Sequence, residues 1–351
     1  MQKMSSLIIK DQIFLKHDPG FGHPESQERL RAIYHRLQKG DLESLIVEKR
    51  PRRASKEEIA WNHTPGYIDR IERTAGVDHF QLDPDTATSA DSWDAACFAV
   101  GAGFEALDHI YSGQFDTAFA LIRPPGHHAE KDHAMGFCLF NNVALAAHYA
   151  IERLGAERVL IVDWDLHHGN GTQHSFYDDN RVLYFSTHQY PYYPGTGAAM
   201  ETGSGKGKGF TVNVPLSPGA GDREYASVFN LLLRPVALEF KPDVMLVSAG
   251  FDIYKDDPLG GMKVTEAGFA YLAQALHEMT ALCRARGLLF CLEGGYNLTG
   301  LSEGVAEVIK SCSGKLDEDE KEICEILKGV DKTFKELDYA IDIQKGFWKD
   351  L

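Results

Sequence analysis

Residues 158–171 read RVLIVDWDLHHGNG. An unbroken apolar run rich in β-branched residues, Arg158–Val162, stops abruptly at a cluster of acids, imidazoles and glycines, Asp163–Gly171. A short continuous run of this kind predicts a strand buried on both faces, and the polar cluster predicts the loop at its carboxyl end.

The same grammar recurs through the middle of the chain. Apolar runs stand at Thr117–Ile122, Val182–Ser186, Phe210–Val214, Val244–Ser248 and Leu288–Leu292. Helical patterns separate several of them, at Asn141–Leu154, Arg223–Phe240 and Thr265–Arg286. Apolar strands alternating with helices predict an α/β fold: a single-domain open, mostly parallel sheet with helices on both faces. No repeat or Pro/Ser-rich linker divides the chain, so residues 1–351 read as one domain. The segment from about 313 to 351, which includes LDEDEKEICEILKGV, reads as peripheral helices, and the Gly/Lys stretch 203–209 as a hairpin or surface loop.

Five of the six runs lead into chemistry-bearing residues. RPPGHHA (123–129), THQYPYYPGTG (187–197), AGFD (249–252) and EGGY (293–296) follow four of them. In open α/β sheets ligands bind beyond the carboxyl ends of the strands, so these segments predict one shared site.

Composition narrows the function. The net charge of −15, from 51 acidic and 36 basic residues, argues against direct nucleic-acid binding, which needs a basic face. No apolar run reaches the ~18 residues of a membrane span, and the opening MQKMSSLIIKDQIF lacks a secretory pattern. Six scattered cysteines with no CxxC pair indicate a reducing compartment, and a cytoplasmic location is expected.

Asp165 and His167, two apart at a strand end, are expected to face the same way and to chelate one metal, with Asp252 as a third ligand. A lone DxH pair more often caps a helix; beside the other strand-end clusters it reads as a metal site. Two carboxylates and an imidazole suit zinc, and would also accept manganese or ferrous iron. His127 and His128 leave a loop stiffened by Pro124, Pro125 and Gly126. They are candidates for the acid and base of metal-assisted amide hydrolysis, with Asp163 and Asn170 available as orienting partners. Tyr296, after Gly294 and Gly295, is a candidate hydrogen-bond donor to an oxyanion.

RPPGHHAEKDHAMGFCLFNN, VDWDLHHGNGTQ, YPGTG, SAGFD and LEGGYNL together resemble the arginase–deacetylase superfamily. Within it the chain is similar to the zinc-dependent histone deacetylases and the bacterial, class II-like histone-deacetylase-like amidohydrolases, from about Lys16 to Leu298. The resemblance implies that Asp165, His167 and Asp252 bind zinc and that His127 and His128 are the acid/base pair, backed by Asp163 and Asn170. It implies that Tyr296 polarises the substrate carbonyl. Gly136, Phe137 and Tyr193 would line the channel for the substrate's aliphatic chain, with Leu259 near its mouth. A structural potassium ion would sit among Asp163, Asp165, His167, Ser186 and Thr187. Asn170 stands where the main group has Asp, and Tyr193 where Phe is usual. Segments 17–30 and 82–89 resemble rim loops. Asp83 or Asp85 is placed to meet a peptide backbone or an amine, or else belongs to a turn.

The expected activity is zinc-dependent hydrolysis of acyl-amides, above all deacetylation of acetyl-lysine in proteins or peptides. An acetylpolyamine amidohydrolase is the alternative, although the stretch from Gly22 to Asp83 looks short for one. A di-manganese ureohydrolase would need further ligands, and a non-enzymatic acyl-lysine-binding module would lack a ligand, a histidine or the tyrosine. The sequence leaves the oligomeric state open, a homo-oligomer included.

Overall fold

The computed structural model of the chain describes residues 5–351. Its strands are β1 (Ser6–Ile9), β2 (Ile46–Lys49), β3 (Phe80–Gln81), β4 (Ala87–Thr88) and β5 (Thr117–Ala120). There follow β6 (Val159–Asp163), β7 (Val182–Gln189), β8 (Thr211–Leu216), β9 (Val244–Ala249) and β10 (Leu288–Leu292). Eight of them form one sheet in the order β2-β1-β5-β10-β9-β6-β7-β8, parallel throughout, while β3 and β4 pair separately.

Every residue of β5, β6, β7, β9 and β10 is buried. A pleated strand points its side chains to both faces alternately, so full burial requires cover on each. The helices supply it in two sets. Ser92–Tyr111 packs on Asn142–Glu152, while Leu298–Cys312 packs against both Gln27–Leu37 and Glu266–Cys283. The doubly covered parallel sheet is therefore as the sequence implies. Helices at Glu318–Lys328 and Lys335–Gln344 occupy the C-terminal segment and pack on Glu266–Cys283 and β8 respectively.

Two details differ from expectation, and one open alternative is decided. β1 and β2 extend the sheet, although neither is among the apolar runs read from the sequence; β1 is fully buried, and β2 is an edge strand with its side chains mostly exposed. The Gly/Lys stretch forms a loop with one 3-10 turn, Gly205–Gly207, and not a hairpin, because the flanking β7 and β8 run parallel. Strand β6 ends at Asp163, so Asp165 and His167 lie in the loop beyond it and strand alternation does not align them.

The core also encloses neutral histidines. His63 donates from Nδ1 to the Glu130 carbonyl at 2.9 Å and accepts from Asn141 N at Nε2 at 2.9 Å. Burial lowers His17, His63, His148 and His188 to about 4 from the ordinary 6.5. At these four sites the unfolded chain binds more protons than the folded one between those values, so their contribution to stability is full above pH 6.5 and falls as pH drops towards 4. At about 1.4 kcal/mol per pKa unit each histidine contributes on the order of 3 kcal/mol to that loss, and two of them rival a typical folding free energy. Glu293 and Glu307, which burial raises to about 7, act in the opposite sense over the same range, since they take up protons in the folded state. The histidine share should therefore appear as a shallower fall of the urea midpoint between pH 6.5 and 4.5 in His148→Gln protein than in the parent, and identical pH profiles would contradict it.

Candidate active site

Five neighbouring strands, β5, β10, β9, β6 and β7, deliver all the chemistry-bearing loops to one edge. There lies a cavity of about 140 Å³ whose lining includes His127, His128, Asp165, His167 and Tyr296. Gly136, Phe137, Tyr193 and Leu259, the expected channel residues, line the same cavity. A larger cleft of about 720 Å³ lies at the opposite end of the sheet, beside Arg158, Arg181 and Phe210 at the strand starts, and holds none of these groups.

Asp165, His167 and Asp252 each offer a ligand atom, all within 4.8 Å of one another. His167 Nδ1 is 3.2 Å from Asp165 Oδ1 and 3.2 Å from Asp252 Oδ2. The backbone holds the other parts of the group. Asp165 Oδ1 accepts from His167 N at 2.8 Å, a local turn that replaces the strand geometry the spacing suggested. Gly294 N donates to Asp165 Oδ2 at 2.9 Å, and Leu166 N to Asp252 Oδ1 at 2.9 Å. Asp252 Oδ2 is buried and, apart from the misaligned His167 Nδ1 at 3.2 Å, has no hydrogen-bond partner, which is costly for a carboxylate oxygen unless something fills the gap. Gly294 closes over the site; a Cβ there would stand 2.2 Å from that same oxygen. The donor set and the orphaned oxygen fit a divalent cation, zinc included.

Burial alone would lower His127, but Asp165 and Asp163 prevail and hold it well above the usual histidine range. Its Nδ1 donates to Asp163 Oδ2 at 3.1 Å, and the Tyr184 hydroxyl donates to that oxygen at 3.0 Å. His128 goes the other way. Burial, then the neighbouring His127 and His167, push it well below the usual range. Its Nδ1 lies 2.8 Å from Asn170 Oδ1. The two ring centroids are 4.0 Å apart, so one pair of touching imidazoles carries two opposite charge preferences.

Gly136 and Phe137 both take positive φ, 56° and 68°, in a tight turn closed by Cys138 N to Met135 O at 3.0 Å. A left-handed phenylalanine is strained, and the 82–89 loop restrains it. Asp85 Oδ1 accepts from Gly136 N at 3.1 Å, and Thr86 Oγ1 from Phe137 N at 3.0 Å. Asp85 thus braces the channel wall and lines the cavity, whereas Asp83 accepts from Asp85 N at 3.0 Å and serves the turn. Tyr193 meets His128 edge to face, with centroids 5.0 Å apart. Tyr192, beside it, reaches the Leu259 carbonyl with its hydroxyl at 3.0 Å.

Several supporting groups escape sequence reasoning. Fully buried Glu293 accepts from Gly126 N at 2.7 Å and His127 N at 3.2 Å, tying the histidine loop to the end of β10. Asp257 accepts from Tyr296 N at 2.7 Å and Leu259 N at 2.9 Å. Arg29 donates to the Gly295 carbonyl at 2.7 Å, and Glu25, with no exposed surface, pairs with both Arg29 and Arg123. Of these, only Glu293 carried a signal, its place at a strand end. Ser186 and Thr187 lie in the carboxyl half of β7, Ser186 beside Asp163 at the end of β6, and Thr187 Oγ1 is buried with no hydrogen-bond partner.

A family model described as the histone deacetylase domain matches residues 23–312. "Histone deacetylase 15" of Arabidopsis thaliana is 40% identical over 350 residues, 98% of this chain and 62% of the relative. The chain therefore spans less than two thirds of that relative's length. A protein named "Probable deacetylase" from Archaeoglobus fulgidus is 40% identical over 299 residues, 84% of this chain and 82% of its own. The crystal structure of the HDA15 HD domain is similar at a TM-score of 0.88 and 38% identity, over 99% of this chain and 96% of that one.

Proposed function

The chain belongs to the histone deacetylase family, and from that premise we propose that it is a zinc-dependent amidohydrolase acting on acyl-amides, above all acetylated lysine side chains of peptides or proteins. The observation that carries this reading is the Asp165–His167–Asp252 group with its unpartnered Asp252 Oδ2, set beside two histidines of opposite protonation preference.

Asp165, His167 and Asp252 would hold the ion. Bound there, zinc would supply Lewis-acid polarisation of the scissile carbonyl and acidify a water molecule. His128 is the general base: with Nδ1–H given to Asn170, its Nε2 lone pair is free to take a proton from the attacking water. The water oxygen bonds to the acyl carbon, and the same Nε2–H then protonates the departing amine as the C–N bond breaks. His127, oriented by Asp163 through Nδ1 at 3.1 Å, is placed to offer positive charge to the tetrahedral oxyanion when protonated. The Tyr296 phenol, which burial keeps protonated, donates to that oxyanion. Phe137 and Tyr193 flank the aliphatic chain and exclude water.

We also assign a structural monovalent cation, potassium, to the group Asp163, Asp165, His167, Ser186 and Thr187, supported by the orphaned Thr187 hydroxyl. Residues 1–351 are read as one deacetylase domain, with the helical segment from about 313 to 351 as its periphery. Among the described residues no helix is long and apolar enough to cross a membrane, and no cysteine is paired; the free thiols support a reducing, cytoplasmic setting.

Treatment with a strong chelator should abolish hydrolysis of an acetyl-lysine peptide, and added zinc should restore it. The acetylpolyamine alternative rests on Asp85 at the cavity, since a carboxylate there suits an ammonium as well as a peptide N–H. Turnover of acetylputrescine exceeding that of the peptide would favour it. Full activity in metal-free protein would end the assignment of zinc dependence, and no hydrolysis of either substrate by zinc-loaded protein would end the amidohydrolase reading.

A further inference from the structure

Behind His128 a chain of hydrogen bonds runs away from the cavity. Asn170 accepts at Oδ1 from His128 Nδ1 at 2.8 Å and donates from Nδ2 to Glu130 Oε1 at 2.5 Å. His174 Nδ1 donates to the same Glu130 oxygen at 2.8 Å. His174 is half exposed and opens onto a separate cleft of about 370 Å³, lined also by Glu130, His148 and Asp178. We propose that Glu130 is a positioning residue which, acting through the Asn170 amide, fixes the tautomer and orientation of His128; this rests on His128 serving as the base in the reading above.

The argument is one of donors and acceptors. A carboxamide can present either its oxygen or its NH2 to a neighbour, and the two ends have nearly the same shape. An ionised carboxylate only accepts. With Glu130 on one side, the Asn170 amide must turn its NH2 that way and its oxygen towards His128. That oxygen requires an N–H at His128 Nδ1. A neutral imidazole has one N–H, so Nε2 is left with the lone pair that the chemistry needs. The carboxylate thus determines, two bonds away, which ring nitrogen is the base.

Glu130 is equipped for this. Burial would raise its pKa, but the bonds from His174 and Asn170 prevail and hold it below the usual carboxylate range, so it stays an acceptor. Its main chain is anchored as well: its carbonyl takes His63 Nδ1 at 2.9 Å, and its N–H donates to the His133 carbonyl at 3.0 Å. The Asn170 NH2 has two further contacts, the His128 carbonyl at 3.3 Å and Met135 Sδ at 3.3 Å, and both are acceptors that favour the same orientation. Neither carries a charge, so the carboxylate dominates.

Glu130→Gln tests it in zinc-loaded protein with an acetyl-lysine peptide. Glutamine keeps the shape but can donate as well as accept, which releases the amide to flip and His128 to protonate at Nε2. The expected result is a fall in kcat of about 10–100-fold, like that seen when the outer partner of a metal-site histidine is removed, with KM and zinc content near those of the parent. In Asn170→Asp protein a carboxylate meets His128 Nδ1 directly, so adding Glu130→Gln should cost less than about twofold there, a non-additive cycle. Nitrogen-15 spectra of histidine-labelled protein should show His128 protonated at Nδ1 in the parent and at Nε2, or mixed, in Glu130→Gln. Parent-like kcat in Glu130→Gln, the same loss in both backgrounds, or unchanged His128 signals would overturn the proposal. If the parent hydrolyses no acyl-amide the hydrolase reading fails, while the spectra still decide the tautomer claim.

Discussion

Asp252→Asn protein is expected to lose its zinc and at least about 10³ of its turnover, while folding as well as the metal-free parent. The loss in rate follows from what a bound ion contributes. Lewis-acid polarisation is worth several kcal/mol, and each 1.4 kcal/mol is tenfold. The loss of affinity follows from the geometry. Asp252 Oδ1 is occupied by Leu166 N at 2.9 Å, so the unpartnered Oδ2 is the oxygen available to the ion. An amide at this position keeps the Leu166 contact but loses the charge.

Stability should move the other way. Without metal, burial and the adjacent Asp165 push Asp252 up to about 7, because two carboxylates cannot comfortably share a dry site. Asparagine removes that repulsion. Melting temperature at pH 7.5 with chelator present should therefore be unchanged or higher in Asp252→Asn than in the parent. With zinc added, the parent should gain and the variant should not, since an ion stabilises only the fold that binds it. Zinc content equal to the parent's would remove Asp252 from the ligand set. A large drop in metal-free melting temperature would mean the buried carboxylate is structural.

Which parts of this site could be read from the chain follows from where its residues lie. Asp165, His167, Asp252, His127, His128 and Tyr296 each sit just after an apolar run, so strand-end logic finds them. The edge that gathers them is not legible in the same way. Strand β10 inserts between β5 and β9, bringing Glu293 against Gly126 although 167 positions separate them. Such neighbours depend on sheet order, and nothing in a local pattern reports it. The pair Asp165 and His167 shows the reverse case, a correct grouping for the wrong reason: the strand stops at Asp163, and an aspartate turn aligns the two. The bracing acids, Glu25, Glu130 and Asp257, stay hidden because a carboxylate that pairs with arginine, accepts from an amide or caps backbone N–H groups looks like any other surface acid until the fold places its partners. The left-handed Phe137 is hidden too, since only Gly136 before it carries the usual mark of such a turn.

Tyr296→Phe should lower kcat by about 10²–10³ and leave zinc content and KM close to the parent's. Removing one oxyanion donor typically has that effect, because the bond forms fully only when the carbonyl oxygen gains charge. The phenol is held for this purpose from three sides. Asp257 fixes its backbone N–H at 2.7 Å, the Arg29 guanidinium lies 5.1 Å from its ring centroid, and Phe137 meets it edge-on at 6.0 Å. None of these contacts involves the hydroxyl, so phenylalanine should occupy the same place and cost little in stability. That makes the substitution a clean test of chemistry against packing. A KM effect without a kcat effect would mean the hydroxyl only binds substrate, and unchanged turnover would leave the oxyanion to the metal and His127 alone.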